Sequence, residues 1–184
     1  MSELAAPAVA AEAITRVTLA VDSSPTSAHV AAYVRDLLRP GMHVSLVSVA
    51  ENPRVLTPQL RFVDAVLDAA REELRRDARA ALERAAGTVS ESGAAVDSRL
   101  IDLSREGGIV ADALVADAHT HRAQLLVLGA RQRHGMLRWL DASVSQPVTR
   151  DAHCSMLIVP ERFERRAGGP LARRSKRSGT ISIE

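Results

Sequence analysis

The chain is short of several things that would point to particular chemistries. It has one cysteine, Cys154, so no internal disulfide forms and a reducing, cytoplasmic setting is expected. It has one lysine, Lys176, which removes the cation that phosphotransfer from a receiver-type acid cluster requires. Aromatics are 2% of residues, too few for the stacking platforms that hold single-stranded nucleic acid. No apolar run approaches the ~20 residues of a bilayer span, so membrane insertion is not expected. The first basic residue is Arg16, so the start of the chain lacks the charged opening of an export signal. There is no G-x-x-x-x-G-K-[ST] segment and no G-x-G-x-x-G after the first strand, which argues against P-loop and dinucleotide-binding chemistry.

What is present is a core-forming composition, 46% hydrophobic over 184 residues, enough for one ordinary domain. The net charge of +2 is unevenly placed. Residues 161–184 carry seven basic and three acidic residues, and Gly168-Gly169-Pro170 interrupts any helix there. This segment reads as a basic disordered tail, dispensable for folding, and residues 1–13 read as a flexible N-terminal segment. Nucleic acid as a partner would rest on the tail alone and is not expected.

Between these ends, short apolar runs alternate with long helical periodicities. Strands are expected over 14–21, 43–49, 96–101, 125–128 and 156–159. Helices are expected from Ser24-Pro25 to about Leu38, from about Gln59 to Glu91, from Glu106 to His121, and from about Trp139 to Asp151. Pro25 suits a first helical turn, with Ser24 as its cap. Asn52-Pro53 and Pro58 predict a loop. Leu67, Leu74, Ala78, Leu82, Ala85 and Val89 recur three or four apart, while Asp68, Arg71, Glu72 and Arg75 form a solvated opposite face. The order β-α-β-α-β-α-β-α-β predicts a single doubly wound α/β domain over 14–160: a five-stranded parallel sheet with helices on both faces. Ligands in such sheets bind beyond the C-terminal strand ends, near the switch in strand order. Asp22, Val49 to Glu51, Asp102 and the chain from Gly129 onward are expected there. His119 and His121 are poorly spaced for a shared metal, and Cys154 reads as a small apolar filler.

The stretch "LVLGARQRHGMLRWLDASVS", Leu126 to Ser145, is strand, polar loop and helix start, a layout that presents free N–H groups to an anion. Together with "VTLAVDSSPTSAHVAAYV" and the long charged helix, it resembles the universal stress protein family over about 14–160. The resemblance implies strand order 3-2-1-4-5 and a homodimer paired through the last strand, Cys154 to Val159. It also implies a stress-related regulatory or binding role without evident catalytic machinery. The ATP-binding branch of that family carries Gly, two residues, Gly, nine residues, then Gly-Ser or Gly-Thr. On this chain those positions are Gly129, Gln132, Ala142 and Ser143, so two glycines are replaced. By the same resemblance Asp22 is the acid that contacts adenosine, Val49 lines the base pocket, and Leu128 and Val144 are its apolar neighbours. Gln132 is the graver departure: a left-handed backbone there would cost a non-glycine residue about 1 kcal/mol or more. ATP or a related adenine nucleotide is the expected ligand. A nucleotide-free interaction protein acting through its surface and basic tail is the alternative, and a slow nucleotide hydrolase a third.

Overall fold

The computed structural model describes residues 13–56, 64–130 and 144–161. Its elements in chain order are β1 (Arg16–Ala20), α1 (Pro25–Leu37), β2 (His43–Ala50), α2 (Pro53–Leu56), α3 (Asp64–Ser90) and β3 (Ala95–Asp102). They continue with α4 (Leu103–Glu106), α5 (Val110–Thr120), β4 (Leu125–Ala130), α6 (Ser145–Asp151) and β5 (Ser155–Pro160). The five strands form one parallel sheet in the order β3-β2-β1-β4-β5. The order reverses between β1 and β4, and the crevice of such a fold opens there.

Alternation along the strands divides the core in two. Val17, Leu19, Val44, Leu46, Val127 and Val159 face α1 and α3. Val47, Ile101, Leu126 and Leu128 face α5 and α6, together with Leu114 and Val148 from those helices. Because both faces are covered, the central strands are apolar on nearly every residue, as in β4.

Four expectations are corrected. The segment after Asn52 is a helical turn, α2, because Asn52 Oδ1 accepts the backbone N–H of Arg54 at 3.0 Å and closes it. The third long helix begins at Val110 rather than Glu106. Gly107 and Gly108 both have positive φ, +73° and +82°, which stops α4 after one turn and re-aims the chain. Ser24 holds the N-cap position of α1 but makes no side-chain cap there. Asp102 serves as a cap instead of lining the crevice. It accepts the Ser104 N–H at 2.9 Å and stands 3.6 Å from both Arg75 and Arg105. The expected stretches 59–63 and 139–143, at the starts of two helices, lie outside the described residues.

The geometry of α3 matters most for the crevice. Its 27 residues make a rod about 40 Å long, whereas the eight residues of β2 or β3 span about 26 Å. Leu82, Ala85 and Val89 belong to the core, and Arg75 meets Asp102 at the C-terminal end of β3. The helix N-terminal to Arg75 therefore rises above the strand ends, and the turn around Arg75, Leu74 to Ala78, stands at the rim of the crevice.

One buried polar contact holds α5 to the sheet. Asp117, 3% exposed, accepts from Ser45 Oγ of β2 at 3.3 Å and from Arg99 of β3 at 3.3 Å. Arg99 keeps half of its side chain in water, but the carboxylate does not. Asp117→Ala removes the shared partner and is expected to cost about 3 kcal/mol in denaturant unfolding. A loss under about 1 kcal/mol would show that apolar packing alone seats α5.

Candidate functional site

A cleft of about 540 Å³ opens at the C-terminal ends of β1, β2 and β4. Its floor is strand-end backbone and side chain: Val21 and Asp22 after β1, Val49 and Glu51 at β2, and Leu128 and Gly129 in β4. One wall is α3, through Leu74, Asp77 and Ala78. The opposite wall is the start of α5, with Ile109 and Val110. Val144, at the head of α6, closes the side beyond β4.

Asp22 is where the helix start and the cleft meet. Its Oδ1 accepts the Ser24 N–H at 3.0 Å, the Ser27 hydroxyl at 2.6 Å and the Ser24 hydroxyl. Its own N–H donates to Ser27 Oγ at 2.8 Å. The carboxylate gathers three donors through one oxygen, which fixes its plane at the mouth of the cleft while leaving the residue exposed. Serines at both positions make this possible, since each supplies a hydroxyl one turn apart at the beginning of α1. Holding the start of α1 and lining the mouth of the cleft are therefore compatible in one residue.

Gly129 is required by packing rather than by backbone conformation. A Cβ at this position would stand 3.1 Å from Val30 Cγ2 and 3.2 Å from Thr26 Cγ2. Both neighbours are buried, helical and β-branched, so neither can rotate aside. This close approach brings the first turn of α1 against the end of β4.

Of the site residues predicted from the sequence, Asp22, Val49, Leu128, Gly129 and Val144 all line the one cleft. Gln132, Ala142 and Ser143 lie outside the described residues. The sequence reading missed the α3 wall, whose Leu74 and Ala78 it assigned to a core stripe, and Ile109, which it placed within a helix.

The electrostatics of the cleft are one-sided. Among the described lining residues there are three carboxylates, Asp22, Glu51 and Asp77, and no arginine, lysine or histidine. A second, shallower depression lies between α5 and the approach to β5, where the His119 and His153 rings meet edge to face at 5.9 Å near Asp112 and Asp151. Among the described residues no three His, Cys, Asp or Glu side chains are placed to hold a metal ion. Cys154 immediately precedes β5 and packs against the second core. Burial pushes its thiol above the usual range, which disfavours the thiolate. No helix among the described residues is long and apolar enough to cross a membrane.

A parallel five-stranded sheet with a crevice at the β1/β4 switch defines the class of small doubly wound α/β domains. Within that class the sequence profile of the Universal stress protein family matches residues 13–160, and the chain belongs to this family. A universal stress protein of Methanocaldococcus jannaschii is 28% identical over 88 residues, 48% of this chain and 49% of that protein. The chain thus matches about half the length of that curated relative. Among solved structures, a universal stress protein in complex with cAMP superposes with a TM-score of 0.55 at 19% identity, covering 82% of this chain and 99% of that one. The universal stress protein of Archaeoglobus fulgidus in complex with dAMP gives 0.56 at 20% identity, covering 79% and 97%. At these identities the superpositions establish the shared fold.

Gly129→Ala tests the packing that positions the site. The added methyl must push α1 away from β4, and a loss of about 1–3 kcal/mol is expected in thermal or denaturant unfolding. Unchanged stability would mean that the two elements have room to separate.

Proposed function

We propose that this protein is a regulatory binding module whose strand-end cleft takes an adenine nucleotide. The observation that carries this reading is the placement of Asp22 at the β1/β4 switch, its carboxylate oriented by Ser24 and Ser27 within the cleft. Family membership and the cAMP and dAMP complexes of structural relatives support the class of ligand. Asp22 would accept from the ribose hydroxyls, Val49 and Leu128 would flank the nucleoside, and Val144 would lie toward the phosphate side. Gln132, Ala142 and Ser143 would belong to the phosphate loop, with Arg131, Arg133 and His134 supplying cations that the described lining lacks. The replaced glycines make the ATP site a weakened one, with Gln132 as the main obstacle to close backbone approach.

Calorimetric titration with ATP tests this directly. Wild type should bind weakly. Gln132→Gly should bind about tenfold more tightly, the equivalent of ~1.4 kcal/mol. Ala142→Gly should gain less, and Asp22→Ala should bind nothing. If neither wild type nor Gln132→Gly gives heat with ATP, the cleft is no weakened nucleotide site, and a nucleotide-free interaction protein becomes the better account. Micromolar binding by wild type would refute the obstacle assigned to Gln132.

The same reading assigns a homodimer to the edge strand β5, which pairs only with β4 among the described residues. Exposed edges invite further pairing, and a two-fold axis closes the assembly. Ile158, 36% exposed, lies on this edge. Ile158→Asp should shift sedimentation from dimer to monomer at micromolar concentration. A wild-type monomer at that concentration would contradict the assignment.

A further inference from the structure

We infer that the basic segment 173–177, RRSKR, docks in the strand-end cleft of its own chain. The inference stands whether or not that cleft takes a nucleotide. The cleft joins two chemistries. Its rim carries Val55 and Ile109, 74% and 52% exposed, and its described lining holds carboxylates but no arginine, lysine or histidine. Glu51 and Asp77 are exposed. Among the described residues neither makes a hydrogen bond or an ion pair, although Arg75 and Arg79 beside Asp77 are paired with Glu72. Open carboxylates among apolar side chains suit one kind of partner. Arginine and lysine lay their aliphatic stems along apolar surface while their charged heads reach an acid. Residues 170–178, PLARRSKRS, supply four such side chains and no acid.

Topology puts that segment within reach. All five strands are parallel, so β5 ends at the same edge of the sheet at which the cleft opens. The chain holds to the sheet as far as Glu161, whose N–H donates to the Ala130 carbonyl at 3.0 Å. From β5 to β2, across β4 and β1, is three strand spacings, about 14 Å. Arg173 lies twelve positions beyond Glu161, and a coil of that length reaches about 19 Å. A tether whose reach is close to the span it must cross gives a local concentration on the order of 1 mM. Contacts between exposed charges are individually weak and are screened by salt. At that local concentration weak contacts suffice to fill the cleft, and raising the salt empties it. Docked there, the segment excludes other ligands from the cleft.

The test is the salt response of the cleft amides in the full chain, without added ligand. In wild type the Glu51, Asn52, Asp77 and Ile109 amide shifts should move between about 20 mM and about 500 mM NaCl. The variant Arg173→Glu/Arg174→Glu/Lys176→Glu/Arg177→Glu should already show, at low salt, the positions that wild type reaches only at high salt. A peptide of residues 170–178 added to that variant should bring back the low-salt wild-type positions, with a half-effect on the order of 1 mM. This last arm also shows that the variant keeps a folded cleft. Superimposed cleft shifts of wild type and the variant at low salt overturn the inference, as does a peptide without effect at several times that concentration. So does a salt response that persists in the variant and disappears in Arg131→Gln/Arg133→Gln, which gives the cleft to the loop after β4. A response that grows with protein concentration gives it to a neighbouring molecule and overturns the inference equally.

Discussion

The contact between β4 and α1 at Gly129 governs where everything else in the site can be. Two buried β-branched side chains, Val30 and Thr26, come within 3.2 Å of the place a Cβ would occupy. That closeness seats the first turn of α1 beside the end of β4. Asp22 and Ser24 then fall at the crevice rather than beside it. The glycine that begins the Gly-x-x-Gly pattern of the family thus has a packing reason to be glycine whether or not a phosphate is bound.

The polar groups of the domain divide by the same logic. Asp117 and Asp102 are spent on architecture: one clamps α5 to β2 and β3, the other caps α4 and draws in Arg75. Asp22 is shared between the start of α1 and the cleft. Asp77 and Glu51 are left to the cleft. An acidic lining over this half suits the hydrogen-bond donors of a ribose and an amino purine and disfavours phosphate.

Periodicity was sufficient for the sheet and its five strands, because central strands covered on both faces must be apolar along their whole length. The strand order 3-2-1-4-5 came from the resemblance. The site residues on strand ends, Asp22, Val49, Leu128 and Gly129, were legible because the ends of apolar runs mark where the crevice opens. Three features were not legible. Gly107 and Gly108 lie within the stretch read as helix, just before its apolar pattern, and that pattern carries no trace of two consecutive positive-φ residues. Asp102 occupies a strand end like Asp22, but the following Ser104 N–H turns it into a cap, and local hydrogen bonding of that kind leaves no periodic trace. Asp77 looks like one more charge on a solvated helix face. Only its place beside Arg75, which meets Asp102 at the end of β3, shows that this part of the helix walls the crevice.

The central claim is that the β1/β4 crevice is the ligand site of this protein. Amide chemical-shift mapping during titration with AMP tests it without relying on any variant. The account predicts shifts concentrated at Asp22, Val49, Leu128, Gly129 and Val144, extending to Asp77 on α3. No shifts at millimolar AMP, or shifts centred on His119 and His153 between α5 and β5, would contradict it.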